Sequence, residues 1–326
     1  MENVTMTVQD SDSKQLFREK AVMPIPNQED NTFPDILDSG IDPRGNTKKI
    51  VVLMGSPRKG NTFRACEEFR EHLQKIYPAE FEYIWLKDAH IEPCKGCFVC
   101  FPKGEESCPS RNDDIAVIVQ KMLDADGVIF ASPVYSWNVS ALMKTFIDRI
   151  SYTGHRPRFA GKKAFFLVTT GMMGADEVLK YLKKIAWAWG FECTGTVGLI
   201  TPNGVVPRYR AEMNTKLLKK SAKRFSARLL RTTQKSPGIM DVILFHGGKG
   251  AISQLETVSP ADYQYWKSSG WFSQDVHYFL NVPVNPLYRV VGKIVEMIAK
   301  RHVRKDLIQT TVTMDESSRK PCGDSA

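Results

Sequence analysis

The sequence predicts an α/β fold in which five parallel strands form a doubly wound sheet and a mainly helical C-terminal extension follows. The clearest evidence is residues 50–54, an unbroken apolar run without period-two alternation, which is typical of a strand buried on both faces of a parallel sheet. Similar runs recur along the chain and alternate with helical stretches. Ligands of such folds bind at the carboxyl ends of the strands, so the loops there are the candidate site.

Each predicted strand is a short apolar run, and each predicted helix between strands has one apolar face. The strands are expected at 49–54, 81–86, 127–132, 163–169 and 194–200, and the helices near 62–76, 112–124, 138–150 and 174–189. This alternation ends after Pro202. The chain continues with a basic helix near 208–232, an apolar run at 239–245, an aromatic cluster at 263–272 and a final helix near 286–304.

These patterns divide the chain into four segments. Residues 1–47 are polar and show no sustained periodicity, so a disordered or loosely docked arm is expected there. The sheet domain occupies 48–205 and the helical and aromatic extension occupies 206–312. Residues 313–326 form a polar tail that we expect to be disordered.

Composition and charge exclude several classes of protein. The 326 residues contain no run of 18 apolar residues, which excludes a transmembrane segment, and the N-terminus lacks a secretory signal, which favours the cytoplasm. The net charge is +9, and ten Lys or Arg residues against one acid lie between Val206 and Lys235. No nucleic-acid motif accompanies these charges, so we expect no nucleic-acid partner. A solvated helix face is an equal alternative to an acidic partner or an anionic lipid.

Residues 55–62, Gly-Ser-Pro-Arg-Lys-Gly-Asn-Thr, follow the first strand directly and have the composition of a phosphate-binding loop. The glycines, Gly55 and Gly60, permit a tight turn and a close approach of the backbone to an anion. Thr62 is placed to cap the next helix, whose first N–H groups would face the same anion. The side chains that supply donors or charge are Ser56, Arg58, Lys59, Asn61 and Thr62.

Two better-known nucleotide loops are disfavoured by single positions. Asn61 stands where a P-loop has the lysine that reaches the terminal phosphates. Pro57 stands where the dinucleotide fingerprint has a glycine. ATP hydrolysis and a Rossmann NAD site are therefore disfavoured. A Gly-Pro connection that binds no ligand remains the structural alternative.

A second loop, residues 132–140, follows the third strand and carries an aromatic wall. Its Tyr135 and Trp137, with Pro133, offer the flat apolar surface that a planar heterocycle requires. After the fourth strand, Thr170-Gly171 exposes backbone N–H groups at the same edge of the sheet. Together the three loops would hold a phosphate, a ring face and a ring edge. The alternative is that the aromatic side chains pack against a neighbouring element or a second subunit.

The two loops, Gly55-Ser-Pro-Arg-Lys-Gly-Asn-Thr62 and Ser132-Pro-Val-Tyr135 with Asn138-Val-Ser140, resemble those of the NAD(P)H-dependent FMN reductase family, which has a flavodoxin-like fold. The resemblance covers about residues 48–202. It implies FMN as cofactor, NAD(P)H as co-substrate and a homodimer or homotetramer. Because the flavin carries the chemistry, no catalytic side chain is implied. The implied FMN-binding residues are Ser56, Arg58, Gly60, Asn61 and Thr62 at the phosphate, Pro133, Val134, Tyr135, Ser136, Trp137 and Asn138 at the isoalloxazine ring, and Thr170 and Gly171 at its pyrimidine edge.

Four of the seven cysteines are packed between the second strand and the second helix. Cys94, Cys97, Cys100 and Cys108 have the spacing C-x2-C-x2-C-x7-C, and four thiolates on one loop are what a [4Fe–4S] cluster needs. This motif resembles the iron–sulfur flavoprotein branch of the family and implies such a cluster. Zinc or a loop of reduced thiols remains an alternative. Cys66 and Cys193 are expected to behave as small buried residues and Cys322 as a free tail thiol.

Together these observations predict an FMN-dependent oxidoreductase that passes electrons from NAD(P)H or a ferredoxin-like donor to an unidentified acceptor. The alternative is an FMN or Fe–S electron carrier, or a redox-responsive binding module, without enzymatic activity. Three roles are open for the extension: it shields the flavin, extends a dimer interface, or rests on a membrane surface through its basic helix. Of these, dimer packing is the favoured hypothesis.

Overall fold

The structure is a computed structural model that describes residues 47–318, with side chains described to residue 309. In this part of the chain, one sheet of five parallel strands has the order β2-β1-β3-β4-β5. The predicted doubly wound parallel sheet is therefore confirmed. The strands are β1 (Lys48–Met54), β2 (Ala79–Trp85), β3 (Gly127–Pro133), β4 (Lys163–Thr170) and β5 (Glu192–Ile200).

Helices cover both faces of the sheet, as a buried parallel sheet requires. Residues of β1 show why: Val51 and Leu53 pack into one apolar cluster, whereas Ile50, Val52 and Met54 pack into the other, and all five are inaccessible to solvent. The helices of the sheet domain are α1 (Asn61–Gln74), the short α2 (Cys100–Lys103), α3 (Ile115–Asp124), α4 (Ala141–Arg149), α5 (Ala175–Ala188) and α6 (Arg208–Leu229). The clusters place α3, α4 and α5 on one face and α1 and α6 on the other.

The basic helix α6 packs on the sheet, although the division predicted from the sequence places it in the extension that begins at residue 206. Its apolar face packs beside α1, and the rings of Phe69, Phe165 and Phe225 meet with centroids 4.7 to 6.0 Å apart. The physical reason is that α1 alone does not cover this face of the sheet. Helix α6 covers the part of the face that lies toward the β5 edge. The basic residues of α6 lie on its solvent face.

The extension forms a separate apolar cluster. Its helices are α7 (Ile239–Ile252), α8 (Pro260–Ser268) and α9 (Pro286–Ser318). The predicted apolar run at 239–245 is thus the first half of α7, and the predicted aromatic cluster surrounds the buried Trp266. The final helix continues to Ser318, past both its predicted end at Arg304 and the start of the predicted disordered tail at 313.

Several expectations fall outside the described residues. The N-terminal arm lies within residues 1–46, the end of the tail within 319–326, and Cys322 in that same terminal stretch. Among the helices of the described residues, none combines the length and apolar character needed to cross a bilayer.

Candidate functional site

Three loops and the end of β4 at the carboxyl edge of the sheet are joined by hydrogen bonds. The loop after β1 donates from Asn61 Nδ2 to the carbonyl of Thr201, which follows β5, over 3.1 Å. The hydroxyls of Thr62 and Thr169 are 2.7 Å apart, which links the start of α1 to β4. The loop after β3 donates from Ser140 Oγ to the carbonyl of Gly55 over 2.6 Å. The structure therefore brings together the loops that the sequence predicted to share one site.

The predicted phosphate loop is a compact turn. Ser56 is buried, and its hydroxyl donates to the carbonyl of Arg58 over 2.8 Å, while the Arg58 side chain is exposed. Gly60, rather than Thr62 as the sequence suggested, is the N-cap of α1, because the helix begins at Asn61. The Thr62 hydroxyl instead pairs with that of Thr169. No side chain caps the first turn of α1. A helix N-terminus without a side-chain cap, beside an exposed arginine, fits an anionic group.

Close backbone packing explains why glycine stands at position 55. Its N–H donates to the carbonyl of Ala131 over 2.8 Å, and a Cβ there would lie 3.1 Å from that oxygen and from Ser140 Oγ. Ser140 also caps α4 by accepting from the Met143 N–H over 3.2 Å. One hydroxyl thus positions both the phosphate loop and the start of α4.

The aromatic loop after β3 is a tight turn with an exposed wall. The backbone N–H and C=O groups of Tyr135 and Asn138 exchange two hydrogen bonds of 2.9 Å. Between them, Ser136 and Trp137 have φ values of 47° and 64°, a left-handed conformation that is costly for side chains of this size. Tyr135 is 45% and Trp137 58% exposed. This conformation holds two large rings in solvent at the carboxyl edge of the sheet.

The loop after β4 packs against that aromatic loop. Gly174 has a φ of 87°, and a Cβ there would lie 3.1 Å from Val134 Cγ1 and 3.3 Å from Trp137 Cε3. The Thr170 hydroxyl donates to the carbonyl of Met173, which closes the turn. Gly171 is exposed with open space beside it. The exposed rings and backbone offer the flat apolar surface and the free polar groups that a planar heterocycle requires.

The cysteine loop also begins at the carboxyl edge, after β2. It is tethered to the start of α3: the N–H groups of His90 and Glu92 donate to the carboxylates of Asp114 and Asp113 over 2.7 and 3.1 Å. The thiols differ in exposure. Cys94 and Cys97 are exposed, whereas Cys100, the first residue of α2, and Cys108 are partly buried.

The four thiols do not converge on one point. Across residues 47–309, no three or more His, Cys, Asp or Glu side chains come close enough together to hold a metal ion. None of the four thiols forms a disulfide bond, and all four lie on one connected loop. Burial raises the pKa of the Cys100 thiol, and the charge of Arg156 opposes part of that shift. The donor set is chemically that of an iron–sulfur site.

Two arginines that the sequence analysis did not single out lie beside this loop. Arg149 Nη1 is 3.5 Å from Cys108 Sγ, and Arg149 Nη2 donates to the Ser110 carbonyl and to Asp113 Oδ2, each over 2.8 Å. Arg156 Nη2 donates to the Cys100 carbonyl over 2.7 Å. Both side chains are almost fully buried. A fixed positive charge beside thiols favours their deprotonated, metal-binding form.

A carboxylate of the extension contacts Arg156. Arg156 Nε lies 3.1 Å from Oδ1 of Asp262, which is on α8 and fully buried, as an ion contact without hydrogen-bond alignment. The other oxygen of Asp262 accepts from Ser259 and contacts His155 Nδ1 at 2.9 Å. The single hydrogen of Ser259 Oγ is shared between Asp262 and the Phe101 carbonyl in α2, which lies 3.0 Å away. The extension and the cysteine loop therefore share one buried polar network.

The two cysteines without ligand spacing differ in burial. Cys66 is 2% exposed, and burial raises the pKa of its thiol. Cys193 lies in β5 and is partly buried, and burial raises its pKa to about 11. Both thiols are therefore protonated at neutral pH and poor metal ligands.

The five parallel strands in the order β2-β1-β3-β4-β5, with helices on both faces, define a flavodoxin-like fold. The sequence profile described as NADPH-dependent FMN reductase matches residues 48–203. An iron–sulfur flavoprotein of Archaeoglobus fulgidus is 32% identical over 225 residues, which are 68% of this chain and 99% of that protein. The chain belongs to the NADPH-dependent FMN reductase family, as the sequence analysis expected.

Two further comparisons give the range of similarity. An iron–sulfur flavoprotein of Methanocaldococcus jannaschii is 43% identical over 104 residues, which are 31% of this chain and 51% of that protein. The apo structure of an NADH:FMN oxidoreductase aligns with a TM-score of 0.43 at 22% identity, over 57% of this chain and 92% of that one. At the level of the family, the expected NAD(P)H-dependent flavin oxidoreductase is confirmed.

Proposed function

We propose that this chain binds FMN at the carboxyl edge of the sheet and uses it to carry electrons from NAD(P)H to an acceptor. The observation that carries the proposal is the meeting there of three loops and the end of β4, joined by the Asn61 to Thr201, Thr62 to Thr169 and Ser140 to Gly55 hydrogen bonds. Bound FMN would supply hydride acceptance and one-electron transfer.

The residues of the chain have three tasks in this proposal. The phosphate loop and the first turn of α1 bind the phosphate, with Arg58 supplying charge. The loop with Tyr135 and Trp137 orients the ring and excludes water from one of its faces. Thr170 and Gly171 would contact the polar pyrimidine edge of the ring.

Exchange of the phosphate-binding arginine tests the FMN site. Arg58→Ala should raise the Kd for FMN by about 10- to 150-fold, because a charge-assisted hydrogen bond contributes about 1.5–3 kcal/mol. The measurement is quenching of flavin fluorescence during titration of the apoprotein. The control, Arg224→Ala, removes an exposed arginine of α6 and should leave the Kd unchanged. Equal Kd values for the two variants would refute the phosphate assignment.

For the cysteine loop we propose a [4Fe–4S] cluster held by Cys94, Cys97, Cys100 and Cys108. Two facts support it: the thiols form one chemically suitable donor set, and the relatives at 32% and 43% identity are called iron–sulfur flavoproteins. Arg149 and Arg156 would balance part of the negative charge of the cluster. A cluster at this place would suit a ferredoxin-like partner as an electron donor.

Metal analysis of protein purified without oxygen decides this part of the proposal. We expect about four iron atoms and equal acid-labile sulfide per chain. Cys97→Ser should lose most of the iron, whereas Cys193→Ser, the matched control in β5, should keep it. Zinc in place of iron, or iron that survives Cys97→Ser, would exclude the cluster while leaving the FMN proposal intact.

Kinetics separate the enzyme from the alternative, an electron carrier or redox-responsive module without a nicotinamide site. The proposed enzyme bleaches its flavin absorbance at 450 nm when NADPH or NADH is added under anaerobic conditions, and the faster nucleotide identifies the co-substrate. A flavin that only a reduced ferredoxin can bleach would establish the carrier instead. We also propose a homodimer or homotetramer, which light scattering measures directly.

A further inference from the structure

Helix α9 has a face that the structure leaves in solvent. Its opposite face packs on α7: Glu296 accepts from His246 Nδ1 at 2.8 Å, and Gly250 comes so close that a Cβ there would lie 2.4 Å from the Glu296 carbonyl. Arg304 reaches Gln254 at the end of α7. This packing fixes which side of α9 faces outward.

The outward side of α9 carries an apolar stripe. Its members recur at spacings of three and four residues, so they share one face of the helix. From Leu287 to Ile298 the stripe is roughly 17 Å long at a rise of 1.5 Å per residue. The stripe consists of Leu287, Val290, Val291, Ile294, Met297 and Ile298, which are 73%, 58%, 38%, 48%, 63% and 59% exposed.

A basic groove runs along one edge of this stripe. It has a volume of about 1030 Å³, and Met297 belongs to both the stripe and the groove. The acid in its wall, Glu296, is already paired with His246 and Lys300. The cationic side chains that line the groove are Lys249, Lys293, Lys300, Arg301, Arg304 and Lys305.

The positive charge of α9 favours an anionic surface over a second copy of the chain as the partner of this face. Residues 286–309 contain six Lys or Arg and two acids. Arg301 and Lys305 stand one heptad after Ile294 and Ile298, so they continue the line of the stripe. A parallel second copy would place Arg301 against its own equivalent, and an antiparallel copy would bring the two basic edges together. A surface of anionic headgroups is complementary to both the stripe and its edge.

We propose that α9 docks this protein on a bilayer that contains anionic phospholipid. The stripe lies in the plane of the interface, and the basic groove contacts the phosphate groups of the lipid beside it. The opposite face of α9 remains on α7, so docking needs no unfolding of the extension. The contact is peripheral and depends on ionic strength.

Co-sedimentation with vesicles tests the proposal on the full-length holoprotein. Vesicles of phosphatidylcholine with 30% phosphatidylglycerol should bind the protein, whereas pure phosphatidylcholine vesicles should not, and 0.5 M NaCl should release it. Ile294→Ser/Met297→Ser and Arg301→Glu/Lys305→Glu should each lower the partition coefficient at least tenfold. These side chains are exposed, and cooperative urea unfolding confirms that each variant is folded.

The matched control carries the same change of charge on another basic helix. Lys219→Glu/Lys220→Glu on the solvent face of α6 should bind vesicles within twofold of the parent. Failure of the parent protein to bind anionic vesicles, or an equal loss in the α6 control, overturns the proposal. If the parent fails to bind and Ile294→Ser/Met297→Ser halves its mass in light scattering, the stripe is an interface with a second copy instead.

Discussion

The guanidinium group of Arg149 lies 3.5 Å from the sulfur of Cys108 and joins the cysteine loop to the buried carboxylate of Asp113. The side chains of Arg149 and Asp113 are 4% and 1% exposed, so this ion pair is withdrawn from water. Asp113 also accepts from the N–H of Glu92 in the cysteine loop. The pair therefore holds both ends of the segment that carries the four cysteines.

Removal of this guanidinium should destabilise the protein strongly. Arg149→Leu leaves Asp113 buried without its counter-charge, and breaking one partner of a buried pair costs about 3–5 kcal/mol. The free energy of unfolding, measured by urea denaturation, should fall by that amount. Arg224→Leu, on the exposed face of α6, should change it by less than about 0.5 kcal/mol. Similar values for the two variants would show that the ion pair does not stabilise the loop.

The carboxylate of Asp262 should position the cysteine loop through Arg156. Asp262→Asn keeps the shape but removes the buried charge that faces Arg156. We expect the free energy of unfolding, measured by urea denaturation, to fall by about 3 kcal/mol, the lower end for a broken buried pair, because Arg156 keeps its ion pair with Glu105. Amide hydrogen exchange should also accelerate in α2, whose residue Phe101 accepts from Ser259. Asp275→Asn, an exposed position, is the control. Unchanged exchange in α2 would contradict the positioning role.

Two glycines three residues apart should respond differently to alanine. Gly174→Ala places a Cβ against Val134 and Trp137 at a φ of 87°, so we expect a cost of about 1–2 kcal/mol and weaker FMN binding. Gly171→Ala meets open space and should leave stability within about 0.5 kcal/mol of the parent. Flavin titration and urea unfolding measure both. An FMN affinity of Gly174→Ala equal to that of the parent protein would separate Trp137 from the flavin site.

The histidines under α9 should make stability depend on pH. Burial lowers the pKa of His246 and of His277 below the ordinary value of 6.5, and the two rings approach to 3.3 Å. The neighbouring Glu296 offsets part of the shift of His246, whereas Lys249 and Lys293 add to it. Because the unfolded chain binds these protons at higher pH, protonation favours unfolding. Stability is then complete above about pH 6.5 and falls as the pH decreases.

Urea unfolding at pH 7.5 and 5.5 measures this dependence. Each histidine contributes at most about 1.4 kcal/mol per pH unit. His277→Gln should make the decrease smaller, because it removes one titrating ring and its repulsion from His246. His302→Gln, at an exposed position of α9, should leave the decrease as it is. An identical decrease in the parent and both variants would show that the pair of His246 and His277 does not take up protons on unfolding.

The sheet, and the edge at which the loops of the candidate site lie, were predictable because their signals are local. An apolar run such as residues 50–54 indicates a buried strand by itself, and parallel strands place their following loops at one edge. The partners within the site were not predictable. Asn61 bonds to Thr201, 140 residues later, and no periodicity encodes such a pair.

The network beside the cysteines was missed for a related reason. His155 meets Asp262 across 107 residues, and each is an ordinary charged or titratable residue in its own segment. One local signal was present: Arg149 follows Phe146 by three residues and so shares the buried face of α4. The spacing of the cysteines predicts a ligand set but not whether the loop closes around a metal.

Helix α6 decides where a shortened form of this protein can end. Its Phe225 covers Phe69 and Phe165. A chain that stops at residue 205 would therefore expose this apolar face of the sheet to water and would tend to aggregate. A chain that stops near residue 234 keeps that face covered. The C-terminal boundary for a folded, expressible form therefore lies some thirty residues beyond residue 203, where the match to the family ends. The most obvious feature of those thirty residues in the sequence is their positive charge.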